Sequence, residues 1–203
     1  MIVVVALGLV LAVWAFASVG HGRLETLLAV HVATVVVAYT TVFAVGALTV
    51  CALLARAANR WDAPRARAFR SAVLKLAATS LSLTAVAIVL GALWARDHMG
   101  RYWGWDPKEI GGLAVLAASG LSVMAALGRR PSHRNERSDG LLLAGIAGNI
   151  VVSLSWFGPP LISHEYGRTP AYGPYLLAFV AIQVVLLVAV AAGAIARRER
   201  SAS

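Results

Sequence analysis

The feature that most constrains this chain is the recurrence of apolar runs of 18 or more residues, at 2–19, 28–55, 71–95, 110–127, 140–157 and 175–196. A hydrocarbon layer about 30 Å thick needs roughly 20 helical residues to cross it. Lipid offers backbone amides no partner, so each run must satisfy its own hydrogen bonds as a helix. Sixty per cent of the residues are hydrophobic, 13% are charged and the mean hydropathy is +0.77, which excludes an ordinary soluble domain. The expected fold is all-α: a polytopic membrane protein, one domain over residues 1–203, with about six transmembrane helices. The first run reads as a retained span and not a signal peptide, because nothing basic precedes Ile2 and the first arginine is Arg23. The 28 residues of 28–55 exceed what a bilayer needs, so that helix should tilt or project, with His31 near one surface. Pro159-Pro160 should end the fifth span.

Charge position says more here than charge sum. The 18 Lys+Arg against 9 Asp+Glu could suggest nucleic acid, but the arginines fall just beyond the apolar runs, where the positive-inside rule puts them. Twelve of them lie in 56–70, 129–137 and the C-terminal segment, against Arg23, Arg96, Arg101, Lys108 and Arg168 on the alternate side. The first set should be cytoplasmic, which places the N-terminus outside and the C-terminus inside a bacterial plasma membrane or an equivalent energy-transducing membrane. The expected surroundings are lipid bilayer, with no nucleic acid. Lys75 is the only charge within the spans, so a midplane ion pathway of the usual transporter kind has no residues to carry it. Cys51 is the only cysteine, which excludes an internal disulfide and a Cys-x-x-Cys redox pair.

Between the third and fourth runs lies a short loop, 98–109, containing Met99-Gly100-Arg101-Tyr102-Trp103-Gly104-Trp105-Asp106-Pro107-Lys108-Glu109. It combines three flat rings with both signs of charge. An interfacial aromatic belt would look similar in composition, but this density also suits a large, flat, partly anionic ligand. Counting spans brings His31 and His164, 133 positions apart, to the same outer face as this loop. Each histidine alone reads as interfacial. Together, two neutral imidazoles on opposite sides of a macrocycle give six-coordinate haem iron, with stacked rings at its edge and Arg101 or Lys108 as counter-charges for propionates. His98 reads as an exposed neighbour of the loop, and His21 and His133 as surface residues. Asp106 and Glu109 could form a carboxylate pair for acid/base work. At i, i+3 beside Pro107 they could equally start the fourth helix, the reading favoured for Glu109.

The stretch Gly91-Ala92-Leu93-Trp94-Ala95 followed by Gly100-Arg101-Tyr102-Trp103-Gly104-Trp105-Asp106-Pro107-Lys108-Glu109 resembles the tryptophan-rich WWD signature of the cytochrome c assembly family, haem-handling membrane proteins of the CcsA and CcmC type, nearest the cytochrome c synthase branch. His31-Val32 with Tyr39 resembles the family's first external histidine helix, and Phe157-Gly158 through His164-Glu165-Tyr166-Gly167 the second. The resemblance implies haem b presented on the outer face, with His31 and His164 as axial ligands to iron. It makes Gly100, Arg101, Tyr102, Trp103, Trp105, Asp106 and Lys108 the haem-binding loop. It further implies covalent attachment to an apocytochrome c through its Cys-x-x-Cys-His thiols, with a second cytochrome c assembly membrane protein as partner. This chain would then be part of a cytochrome c synthase, or alternatively a non-catalytic scaffold or haem-storage subunit. Two departures stand out: Met99 where the signature usually has Trp, and no histidine in 110–127, where Met124 stands near the family's position.

Overall fold

The computed structural model describes residues 23–128, 136–162 and 171–202. The first apolar run, His21, His133 and His164 lie outside the described residues. Within them the chain forms α1 (Arg23–Ala57), α2 (Ala63–Met99), α3 (Pro107–Leu127), α4 (Glu136–Phe157), the short α5 (Pro159–Ile162) and α6 (Gly173–Ala202). Five of these are long and apolar enough to cross a membrane, and they coincide with the second to sixth runs. The chain is an all-helical polytopic membrane protein.

The helices outlast the apolar runs. Residues 56–70, read from charge as a basic connection, are helical except for 58–62: α1 continues to Ala57, and Asp62 caps α2 by accepting from the Arg65 N–H at 2.8 Å. An N-cap aspartate with proline just inside the helix fixes that start where hydropathy is silent. At the far end of the bundle α4 stops at Phe157, and Pro159 opens the short α5.

Consecutive helices run in opposite directions, and α1, α2, α3 and α4 close into a four-membered ring in which α4 packs back on α1. α6 lies outside it, chiefly against α4. Burial follows this order: 56% of the central window of α1 is buried inside the protein but only 11% of that of α6, whose Tyr175, Leu177, Ile182, Val185 and Val188 face outward. Such an apolar exterior is what lipid requires.

Two clusters fill the ring. One, toward the arginine-rich end, joins Val45, Phe69, Val73, Leu76, Leu141 and Leu142. The other, toward the aromatic loop, joins Ala38, Tyr39, Val42, Val115 and Val152. Between helices that bury apolar surface as well against lipid as against each other, association rests on close approach and polar contacts. The α1–α4 crossing shows both. A Cβ at Gly145 would overlap the Thr49 hydroxyl, and one at Gly46 would overlap the Asn149 amide. Ser119 donates to Ser80 at 2.9 Å across α3 and α2.

The arginine-rich end is pinned by Arg56 and Asp139, 2.6 Å apart with side chains 22% and 7% exposed, and by Arg70 donating to the Gly128 carbonyl. Removing one partner of a largely buried pair strands the other charge. Asp139→Asn should therefore lower stability by about 2–3 kcal/mol, below the fully buried range because Arg56 keeps some solvent. Thermal unfolding in detergent measures it, and Arg56→Gln combined with Asp139→Asn should cost less than the sum of the two.

Candidate functional site

The aromatic loop is held from both ends. At its start Gly100 takes φ 70°, the left-handed conformation that ends α2, and its N–H donates to the Arg96 carbonyl at 3.0 Å. At its end Asp106 is the N-cap of α3, its Oδ1 accepting from the Lys108 and Glu109 N–H groups at 2.9 Å, with Pro107 in the first turn. Glu109 closes the capping box and does more. Its Oε2 accepts from the Gly104 N–H at 2.7 Å and the Asp106 N–H at 3.3 Å, while Oε1 takes the Arg101 guanidinium at 3.2 Å. One carboxylate thus ties three loop residues to the first turn of α3.

Arg101 also approaches Asp106, at 3.9 Å, and its guanidinium lies where a Cβ on Gly104 would be. Of the two cations assigned to the loop, Arg101 is therefore drawn inward onto carboxylates, while Lys108 is exposed on the first turn of α3. The structure gives Asp106 and Glu109 the helix-starting role.

This scaffold presents rings. Trp103 and Trp105 meet edge to face at 5.7 Å. Trp105 adopts φ 57°, unusual for a residue with a side chain, and is 68% exposed. Tyr102 is exposed too, beneath the Arg96 guanidinium at 5.7 Å from its ring centre. Trp103 Nε1 is buried, with no hydrogen-bond partner among the described residues. His98 is exposed and stacks on Trp94 at 4.7 Å. Met99 is 51% exposed at the loop's mouth.

Helix α1 already begins at Arg23, so His31 sits about 12 Å along it, more than two turns in. It faces α2 at Ala87 and Gly91, nine residues or about 14 Å of helix before Gly100. The His31 Nδ1 is 2.8 Å from the Ala87 carbonyl oxygen. A carbonyl only accepts, so Nδ1 carries the proton and Nε2 keeps its lone pair. Donation of one ring N–H to a backbone carbonyl is also how metal-bound histidines are commonly oriented.

Two turns further along α1, the Tyr39 hydroxyl meets the Ser155 hydroxyl at 2.9 Å, and the Tyr39 ring meets Trp156 edge to face at 5.3 Å. Trp156 stacks on Phe157, which meets Tyr172, whose hydroxyl donates to the Phe157 carbonyl. Aromatic side chains therefore brace α1, α4 and the start of α6 at the loop end of the bundle. Ser155 and Trp156 carried no sign of this in sequence. The Ala87 carbonyl could not have carried one, since backbone atoms are common to every residue.

The family model described as Cytochrome C assembly protein matches residues 1–164. Among curated proteins, the cytochrome c biogenesis protein CcsA of Acorus calamus is 32% identical over 85 residues, covering 40% of this chain and 25% of that protein. CcsA of Solanum lycopersicum is 29% identical over 89 residues, covering 42% and 27%. CcsA of Arabidopsis thaliana is 32% identical over 85 residues, covering 40% and 24%. The matched region thus amounts to about a quarter of each curated relative. No solved structure matches the chain significantly.

Proposed function

The chain belongs to the cytochrome C assembly protein family, and from that premise we propose that it is a haem-binding membrane protein of c-type cytochrome biogenesis. It would hold haem b on the outer face of an energy-transducing membrane for covalent attachment to apocytochrome c. The observation that carries the reading is the His31 imidazole, whose Nδ1 donates to the Ala87 carbonyl and whose Nε2 therefore keeps its lone pair, on the helix pair that leads to an exposed Trp-rich loop.

The residues fit the group. Neutral imidazole is a good ligand for haem iron, and His164 is the proposed second axial ligand. The exposed face of Trp105 and the ring of Tyr102 offer stacking surface for a macrocycle edge. Gly100 and the Asp106 cap fix the two ends of the loop. Lys108, exposed on the first turn of α3, and the partly exposed Arg101 are the cations proposed to face the propionates at the water boundary. When bound, haem supplies vinyl groups for the Cys-x-x-Cys-His thiols of an apocytochrome. The chain's own part is to ligate, orient and shield, with a second cytochrome c assembly membrane protein as partner. The orientation with the loop outside is supported by Arg56, Arg60, Arg65, Arg67 and Arg70, which gather at the opposite end of the bundle.

A second reading, a non-catalytic scaffold or haem-storage subunit, is favoured by Met99 in place of the signature ring and by Met124, which is 69% exposed and so points out of the bundle. The experiment is an absorption spectrum of the detergent-purified protein, oxidised and reduced, after expression with ample haem. Sharp reduced α and β bands support haem binding, and a folded preparation without them overturns it. Complementation of a synthase-deficient strain by this chain then separates attachment from mere storage.

A further inference from the structure

The ring of His31 rests on α2 where only a glycine leaves room. A Cβ built on Gly91 would come 2.8 Å from His31 Cε1 and 3.1 Å from Nδ1, tighter than side chains tolerate. The Ala87 carbonyl that takes the Nδ1 proton lies one turn earlier on the same helix and is buried. Its second lone pair faces the helix's own i+4 donor, the Gly91 N–H. The imidazole therefore reaches the carbonyl only by lying across residue 91.

We propose that Gly91 and the Ala87 carbonyl form the positioning device for His31, fixing its tautomer and ring plane so that Nε2 is presented to the bound group. The inference rests on the reading of His31 as a haem ligand. Gly91 is a positioning residue and touches no ligand itself. Because α2 runs unbroken from Ala87 to Met99 and is capped by Gly100, one rigid helix carries both the anchor of His31 and the root of the aromatic loop. Ligand and loop are thereby set in fixed register, and a shift of α2 moves both.

The test is a two-by-two set in the full-length protein: Gly91→Ala in the wild type and in His31→Ala. Alanine in place of a helix-interior glycine ordinarily stabilises. In the His31→Ala background, where no ring stands in the way, Gly91→Ala should raise the Tm of the haem-free protein by about 2–4 °C. In the wild type the methyl displaces the ring, and Tm should fall. A rise of equal size in both backgrounds overturns the proposal whatever the haem result. In haem-loaded protein, Gly91→Ala should keep more haem than His31→Ala but show a high-spin fraction and a shifted reduction potential. A Tm coupling with no spectral change in either variant overturns the ligand reading and leaves the packing intact. Should Gly91→Ala fail to fold, nitrogen NMR of the wild-type imidazole decides: a protonated Nδ1 and a bare Nε2 support the device, and the opposite tautomer overturns it.

Discussion

Replacing His31 and His164 together by alanine should remove bound haem from the purified protein, with loss of both the Soret absorption and the reduced α and β bands. Each single variant should behave differently from the pair. With His31→Ala, iron keeps one axial partner, so the sharp low-spin bands should give way to a high-spin spectrum and occupancy should fall at least tenfold at limiting haem, about 1.4 kcal/mol or more of binding free energy. The removed ring lay in a slot between α1 and α2 bounded by Gly91 and the Ala87 carbonyl. Imidazole added to His31→Ala should re-enter that slot and restore low-spin bands, a rescue that general damage to the fold would not allow. Retention of unaltered low-spin bands in His31→Ala would show that iron is ligated elsewhere, with the exposed His98 and Met99 as the next residues to remove.

What was legible in sequence divides along a physical line. The helices and the membrane class were readable because lipid leaves the backbone no alternative to internal hydrogen bonding. Their ends were not, because hydropathy says where a helix is greasy and not where it stops. The first turns of α2 are rich in alanine and arginine, good helix formers, and they stay helical beyond the apolar run. The loop's chemistry was visible as Trp103, Trp105, Asp106 and Glu109. The capping box was half visible, since an acid three residues before a glutamate with an intervening proline is a helix-start signal. Three things had no sequence signature: the left-handed Trp105, the seat of His31 against Gly91, and the carbonyl that orients it. The last two depend on which helix lies beside which, and that is settled only when α1 packs on α2. Gly91 stood within the stretch that carried the family resemblance, but its purpose appears only once a ring is seen lying across it.

Glu109 should prove the residue on which the loop's order depends. Its side chain is only 17% exposed, and its two oxygens serve the Gly104 and Asp106 amides and the Arg101 guanidinium. Glu109→Ala leaves two backbone donors without an acceptor and strands a guanidinium beside Asp106 alone. Hydrogen bonds to a charged acceptor contribute about 1.5–3 kcal/mol each, so the local loss is on the order of 3 kcal/mol after allowing for replacement by water at this exposed edge. The loss should stay local, because the ring of α1 to α4 is packed through apolar clusters to which no loop residue belongs, one of them at the opposite end of the bundle. Hydrogen exchange at the amides of Gly104 and Asp106 should therefore accelerate by roughly a hundredfold, while the amides of α1 and α4 keep their protection. Haem content should fall with the loop, since Trp103 and Trp105 would no longer be held edge to face. Glu109→Gln is the discriminating companion. Its amide oxygen can still accept from Gly104, but it no longer neutralises Arg101, so it should recover part of the exchange protection and little of the arginine's placement. Wild-type exchange and haem content in Glu109→Ala would mean that the aromatic loop is held by its rings and not by this carboxylate.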